Sequence, residues 1–223
     1  MRLRTPNIIS LIMLMIIVTF VISSCKKKVI TYEIQGKVYD PQLNTLISDA
    51  NISLKASKVV SGVYNPNYIE IQTTKTNSNG IFNFSVEHDN AAGYRLDITK
   101  KDYFDESVDI KADDLNTDQS YSVNIDFIPV AYIKLNVKNT SPQGTDDEIS
   151  FHFKNVDVKC KDCWDNTPIV GTGPTYNYSR KAKVSGEKQL ILEWVVTKKG
   201  NQHIFHDTIQ SKAFKSTTYN IDY

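Results

Sequence analysis

The 223-residue chain is poor in the residues that build helices: Ala and Leu together number 19, against 83 Ile, Val, Thr, Tyr, Phe and Trp. That imbalance argues against a helix bundle or coiled coil and predicts an all-β protein. Charge of one sign is also missing, with 26 Lys and Arg against 25 Asp and Glu. A strongly basic nucleic-acid-binding face is not available, so nucleic acid is not expected as a partner. Cysteine is scarce, with Cys25, Cys160 and Cys163 alone, and no second Cys pair exists to complete a four-thiolate zinc site. No Gly-x-Ser-x-Gly elbow, Walker loop, His-Glu-x-x-His or dinucleotide fingerprint occurs. With 40% hydrophobic and 23% charged residues the composition is otherwise that of an ordinary folded protein.

What is present is most distinctive at the N-terminus. Arg2 and Arg4 precede an apolar run over 8–22 that only Ser10 and Thr19 interrupt. This is the pattern of a secretory signal, too short for a comfortable permanent span. At its end stands Ile22-Ser23-Ser24-Cys25, which resembles the lipobox of bacterial lipoproteins. The resemblance implies that residues 1–24 are a signal peptide, that the Cys25 thiol carries a diacylglycerol, and that cleavage frees an α-amino group for a further acyl chain. Two or three acyl chains make attachment effectively permanent where one is marginal. Residues 25–30 then form a lipidated tether, and six residues reach about 20 Å at most. Lys26, Lys27 and Lys28 either add roughly 1 kcal/mol each of attraction to an anionic leaflet or form a solvated run. The membrane is thus an expected partner, in a bacterial envelope and on the outer membrane. Cleavage leaves 223 − 24 = 199 residues and a side-chain charge of 24 − 25 = −1.

Beyond the tether, short alternating runs predict strands over 32–40, 50–55, 68–76, 81–86, 94–99, 104–110 and 121–128, at the spacing of a β-sandwich. Asn77-Ser78-Asn79-Gly80 reads as a hairpin turn between two of them. The segments GKVYD, DANISLK, TKTNSNGIFNF and YRLDITKKDYF together resemble the carboxypeptidase regulatory-like domain of transthyretin-like fold. The sequence departs from that pattern at Asp49 and Asp102, where the family commonly has glycine, and in the long excursion over 56–67. The resemblance implies a non-catalytic accessory module over 31–129. A second series of strands over 132–137, 149–158, 176–184, 189–197, 203–209 and 217–223 predicts a second β-sandwich over 130–223, with a stiff junction near Pro129. No internal repeat is evident.

Candidate chemistry is thin. Cys160-Lys161-Asp162-Cys163-Trp164 lacks the helical pattern that would make it a redox motif, and an exported chain permits disulfides, so Cys160 and Cys163 are expected to staple a loop. The alternatives are a redox pair, free thiols or half of a metal site. His203 and His206 would have to complete such a site, yet residues three apart on a strand face opposite sides. No metal and no cofactor are therefore expected. His88 and His152 are isolated, and neither the acids at Asp113, Asp114 and Asp118 nor those at Asp146, Asp147 and Glu148 follow a calcium-loop spacing. Trp194 alternates with Leu190, Leu192 and Val196 and is assigned to the core. Trp164, Tyr176 and Tyr178 fall in or beside a loop, where exposed rings would stack on a sugar or anchor a protein.

The sequence thus predicts a lipid-anchored, non-enzymatic binding or structural module, with an envelope protein or a glycan as its partner. One alternative is a carbohydrate-binding accessory lipoprotein, which requires Trp164, Tyr176 and Tyr178 exposed on one concave surface. The other is a fimbria-like subunit that assembles by strand exchange, which requires an open groove and a removable terminal strand.

Overall fold

A computed structural model of the protein describes residues 30–60, 62–87 and 91–223. Residues 1–24, expected as a signal peptide, Cys25, most of the expected tether and His88 lie outside the described residues. The first half runs β1 (Thr31–Asp40), β2 (Thr45–Leu46), β3 (Asn51–Val60), β4 (Val63–Tyr64), β5 (Ile69–Lys75), β6 (Ile81–Glu87), β7 (Ala91–Thr99), β8 (Glu106–Lys111), a 3₁₀ turn at Ala112–Asp114, and β9 (Tyr121–Asp126). Alternation sets which side chains go inward. In β6, Phe82, Phe84 and Val86 are buried while the residues between them are exposed. In β1 the buried set includes Ile34 and Val38. They meet Ile52, Leu54, Tyr94, Leu96 and Ile98 from the facing sheet in one core, where each fully buried large side chain contributes about 1.5–3 kcal/mol.

One sheet of this sandwich is centred on β1, with β6 antiparallel on one side and β9 parallel on the other. The other has the order β5-β3-β7-β8, all antiparallel. The Asn77–Gly80 turn is therefore not a hairpin, because β5 and β6 belong to different sheets and the turn arches between them. Its local chemistry is as expected: Asn77 Oδ1 accepts from the N–H groups of Asn79 and Ile81. Gly80 sits at φ 68° with a Cβ position only 2.6 Å from the Val38 carbonyl oxygen, so no other residue fits there without a shift. The excursion over 56–67 is mostly strand, since β3 runs to Val60 and pairs there with β4.

The second half contains β10 (Val130–Lys138), β11 (Glu148–Phe153), β12 (Ile169–Thr172), β13 (Asn177–Ser185), β14 (Gln189–Lys198), β15 (Asn201–Gln210) and β16 (Ser216–Asp222). β10 is central, with β13 antiparallel on one side and β16 parallel on the other. The facing sheet has the order β12-β11-β14-β15. Apart from the two-residue strands β2 and β4, which have no counterpart, this repeats the first half, with β10 in the place of β1, β13 of β6, β16 of β9, and β12-β11-β14-β15 in the place of β5-β3-β7-β8. The chain is thus two β-sandwiches in tandem with one topology, each around its own core.

The two are joined at Pro129 and Val130. The Val130 N–H donates to the Asp102 carbonyl, the Gly186 N–H to the Pro129 carbonyl, and the Phe214 N–H to the Val130 carbonyl. Tyr103 stacks on Phe127 at 4.9 Å and meets Phe214 at 5.4 Å, so one aromatic side chain touches both halves.

Candidate functional site

Cys160 and Cys163 are joined in a disulfide. The bridge lies in the loop between β11 and β12, which reaches the outer side of β13 at Lys183: the Trp164 N–H donates to the Lys183 carbonyl and the Lys183 N–H to the Asp162 carbonyl. The segment therefore covers a sheet edge that would otherwise present unpaired backbone groups. Trp164 then turns inward. Its ring is 2% exposed, its indole N–H donates to the Ile133 carbonyl at 3.0 Å, and Phe153 packs on it edge-on at 5.2 Å. The Arg180 guanidinium lies 4.6 Å above the ring and donates to the Cys163 carbonyl.

That placement corrects the expectation of an exposed aromatic surface. Trp164 belongs to the second core, while Tyr176 and Tyr178 are half-buried against it. The Tyr176 ring fills the space above Gly171, where a Cβ would lie 2.1 Å from it, and Tyr178 packs edge-on to Phe151. Burial pushes the Tyr176 phenol above its usual pKa. These three rings cover the core and form no shared concave platform.

The histidines do not converge either. His203 and His206 lie on β15 in register with Val196 and Glu193 respectively, and among the described residues no group of three His, Cys, Asp or Glu side chains is placed to hold a metal ion. His152 lies 4.0 Å from Glu193.

Sequence reasoning missed a polar node at one end of the second sandwich. Asp147 is fully buried, and its carboxylate accepts from the Asn139 side-chain amide at 2.8 Å and the Gln143 N–H at 2.9 Å. Lys198 Nζ donates to Asn139 Oδ1, to the Ser141 carbonyl and to Ser141 Oγ, and lies 4.9 Å above the Tyr223 ring. Burial pushes the Tyr223 phenol up to about 12. The node ties the β10–β11 loop to the end of β14 and to the C-terminal residue, whose carbonyl accepts from Thr140 and Ser141. It borders an open cavity of about 270 Å³ lined by Trp194, Phe205, His203 and Tyr223 among others. Trp194 is half-buried against the core with Phe205 stacked on it at 5.6 Å, so it lies at the margin of the core and not within it. The sequence carries no signal for it, because Asp147 stands between two other acids and nothing local distinguishes the one that becomes buried.

The displaced carboxylates are all shifted downward: Asp147 by the Asn139 side chain, Glu193 by Lys154, Asp109 by Arg95 and Asp207 by Tyr219. At Asp97 and Asp157 burial opposes the shift, but hydrogen bonds from Lys55 and Lys188 outweigh it. Each is an ionised partner in a structural bond.

No protein-family model matches the sequence, and no curated protein matches it. Among solved structures, the Bacillus anthracis TIE protein aligns over 86% of this chain at 12% identity and a TM-score of 0.37, with the chain spanning 34% of that protein. The shaft pilin SpaA of Lactobacillus rhamnosus GG aligns over 86% of this chain and 97% of its own, at 12% identity and a TM-score of 0.32. A putative cell adhesion protein of Bacteroides ovatus aligns over 85% of this chain and 91% of its own, at 13% identity and a TM-score of 0.27.

Proposed function

We propose that the protein is a lipid-anchored, non-enzymatic structural or adhesive module of a bacterial envelope, held through Cys25 on the outer membrane. The observation that carries this reading is Ile22-Ser23-Ser24-Cys25 at the end of the apolar run, with β1 starting at Thr31, six residues on. A tether that short keeps the first sandwich beside the bilayer. The carboxypeptidase regulatory-like reading of the first half is supported by its two departures from the pattern. Asp49 and Asp102, standing where glycine is common, both adopt left-handed backbone, with φ of 53° and 66°. Aspartate tolerates that conformation better than most residues, so the substitutions preserve the backbone that glycine would supply. An envelope protein or a glycan remains the partner class. The glycan arm has lost its original support, because Trp164 is buried.

The test is metabolic labelling with an alkyne-bearing palmitate analogue, followed by fractionation. The full chain is expected to incorporate label and sediment with membranes, and Cys25→Ala to lose the label and the membrane attachment. A Cys25→Ala chain that keeps both would refute the anchor.

A further inference from the structure

β15 is an edge strand with few of the usual protections. Natural sheet edges are blunted by lysine, proline, bulges, short length or an inward-pointing charge, and of these β15 carries only the last, at Asp207, whose carboxylate accepts from the Tyr219 hydroxyl. β15 is ten residues long, its register with β14 is unbroken, and Asn-Gln-His-Ile-Phe-His-Asp-Thr-Ile-Gln contains no Lys, Arg or Pro. Among the other edges, β12 has four residues, β5 ends in Lys75 and faces a register break in β3, and β13 has its Lys183 backbone bonded to the disulfide loop. β6, β9 and β16 also lack Lys, Arg and Pro but are shorter than β15, at seven, six and seven residues. Among the described residues nothing pairs with the outer side of β15. Ile204 is 65% and Phe205 44% exposed.

Backbone geometry fixes which groups the edge presents. The two-residue Lys199-Gly200 loop, both residues at positive φ, makes Lys198 and Asn201 a hydrogen-bonded pair. Antiparallel pairs alternate, so His203, Phe205 and Asp207 direct their N–H and C=O groups to β14, while Gln202, Ile204, His206 and Thr208 direct theirs outward. In agreement, the Thr208 N–H is taken up by the Asp207 side chain and not by a strand. An incoming strand must therefore match its own outward residues to these four.

We propose that β15 pairs antiparallel with β15 of a second copy of this chain, in the register that sets Phe205 opposite Phe205 across a two-fold axis. In that register the outward residues pair Ile204 with His206 and Gln202 with Thr208, so the backbone groups match. On the other face, each His203 stands opposite the partner copy's Asp207, two complementary contacts per interface. Phe205 already stacks on Trp194, so pairing extends the aromatic row across the axis. Registers shifted by two residues lose this: one sets His203 against Phe205 and the other sets Phe205 against Asp207, and neither sets His203 against Asp207. The result is a continuous eight-stranded sheet across two copies.

The register gives the test. In the detergent-solubilised full chain under mild oxidation, Phe205→Cys is expected to convert mostly to a disulfide-linked dimer, since directly opposed Cβ atoms in a non-hydrogen-bonded pair lie close enough to bridge. His203→Cys and Asp207→Cys should cross-link when mixed, and far less when each is alone. Phe205→Cys cross-linking no more than the parent chain, or no more than Thr218→Cys on β16, would overturn the proposal. Because removing Phe205 also weakens the Trp194 stack, sedimentation of Ile204→Pro provides an independent reading. Proline there deletes an outward N–H and spares the bonds to β14, so it should weaken association by roughly tenfold or more with an unchanged circular dichroism spectrum. A parent chain that sediments as a monomer throughout the accessible concentration range, or an Ile204→Pro chain that associates as tightly as the parent, would equally overturn it.

Discussion

Trp164 combines three separate attachments in one side chain: a buried ring against Phe153, an N–H on the Ile133 carbonyl, and a cation above its face from Arg180. Trp164→Ala is expected to destabilise the second sandwich by about 3–5 kcal/mol, from lost packing and an unpaired carbonyl. Trp164→Phe, which keeps a ring but drops the N–H, should cost less, about 1–3 kcal/mol. Urea denaturation followed by circular dichroism measures both, and a Trp164→Phe chain as stable as the parent would show that the indole bond contributes nothing. The same residue shows where sequence reading stops. A tryptophan after a Cys-x-x-Cys in a loop has no periodicity to report its burial, and its bonding partner lies 31 residues away. Phe82, Phe84 and Val86 were legible because alternation within one strand reports burial directly.

Among the elements, the disulfide loop has the clearest separable role. Closing so small a ring restrains the unfolded chain by about 2 kcal/mol in the loop-entropy account. The bridge also holds Asp162 and Trp164 in place beside Lys183. Replacing both Cys160 and Cys163 by serine should lower stability by about that amount and raise amide exchange along the outer side of β13, read by hydrogen–deuterium exchange mass spectrometry. Unchanged exchange at β13 would mean that the loop holds itself there without the bridge. Strands of six or more residues were largely visible in the sequence. β12 was not, because four residues that include Gly171 carry too little pattern. The Asn77–Gly80 turn shows a different limit: its side-chain chemistry specifies a reversal of the chain but not whether the returning strand joins the same sheet or the opposite one. That choice belongs to the cores on either side.

At the scale of the molecule, the two halves follow one strand plan with no visible sequence repeat. Topology is carried by which strands are central, and that depends on the placement of apolar residues and not on their identity. The first half closes its β8–β9 crossover with Leu115 inside its core, and Val108 on β8 is half-buried. The corresponding inner positions of β15, His203, Phe205 and Asp207, stand open. The single plan therefore ends in a short strand with its inner face partly covered and a long one with its inner face exposed, a distinction invisible until the strands are in place.

The parallel pairing of first and last strands in each half also sets how the protein responds to pulling. Drawing the start of β1 away from the end of β9, or the start of β10 away from the end of β16, slides neighbouring strands past one another, so all the bonds of the pair are loaded together. Six residue pairs resist in the first half and seven in the second. Stretched end to end in a single-molecule force experiment, the chain should give two separate rupture events. Each should need clearly more force than pulling through cysteines placed at Gln189 and Gln210, which opens the β14–β15 hairpin one pair at a time. Equal rupture forces in the two directions would contradict this. A chain that bears load by shear in both halves transmits tension from its N-terminus to its far end before either half opens.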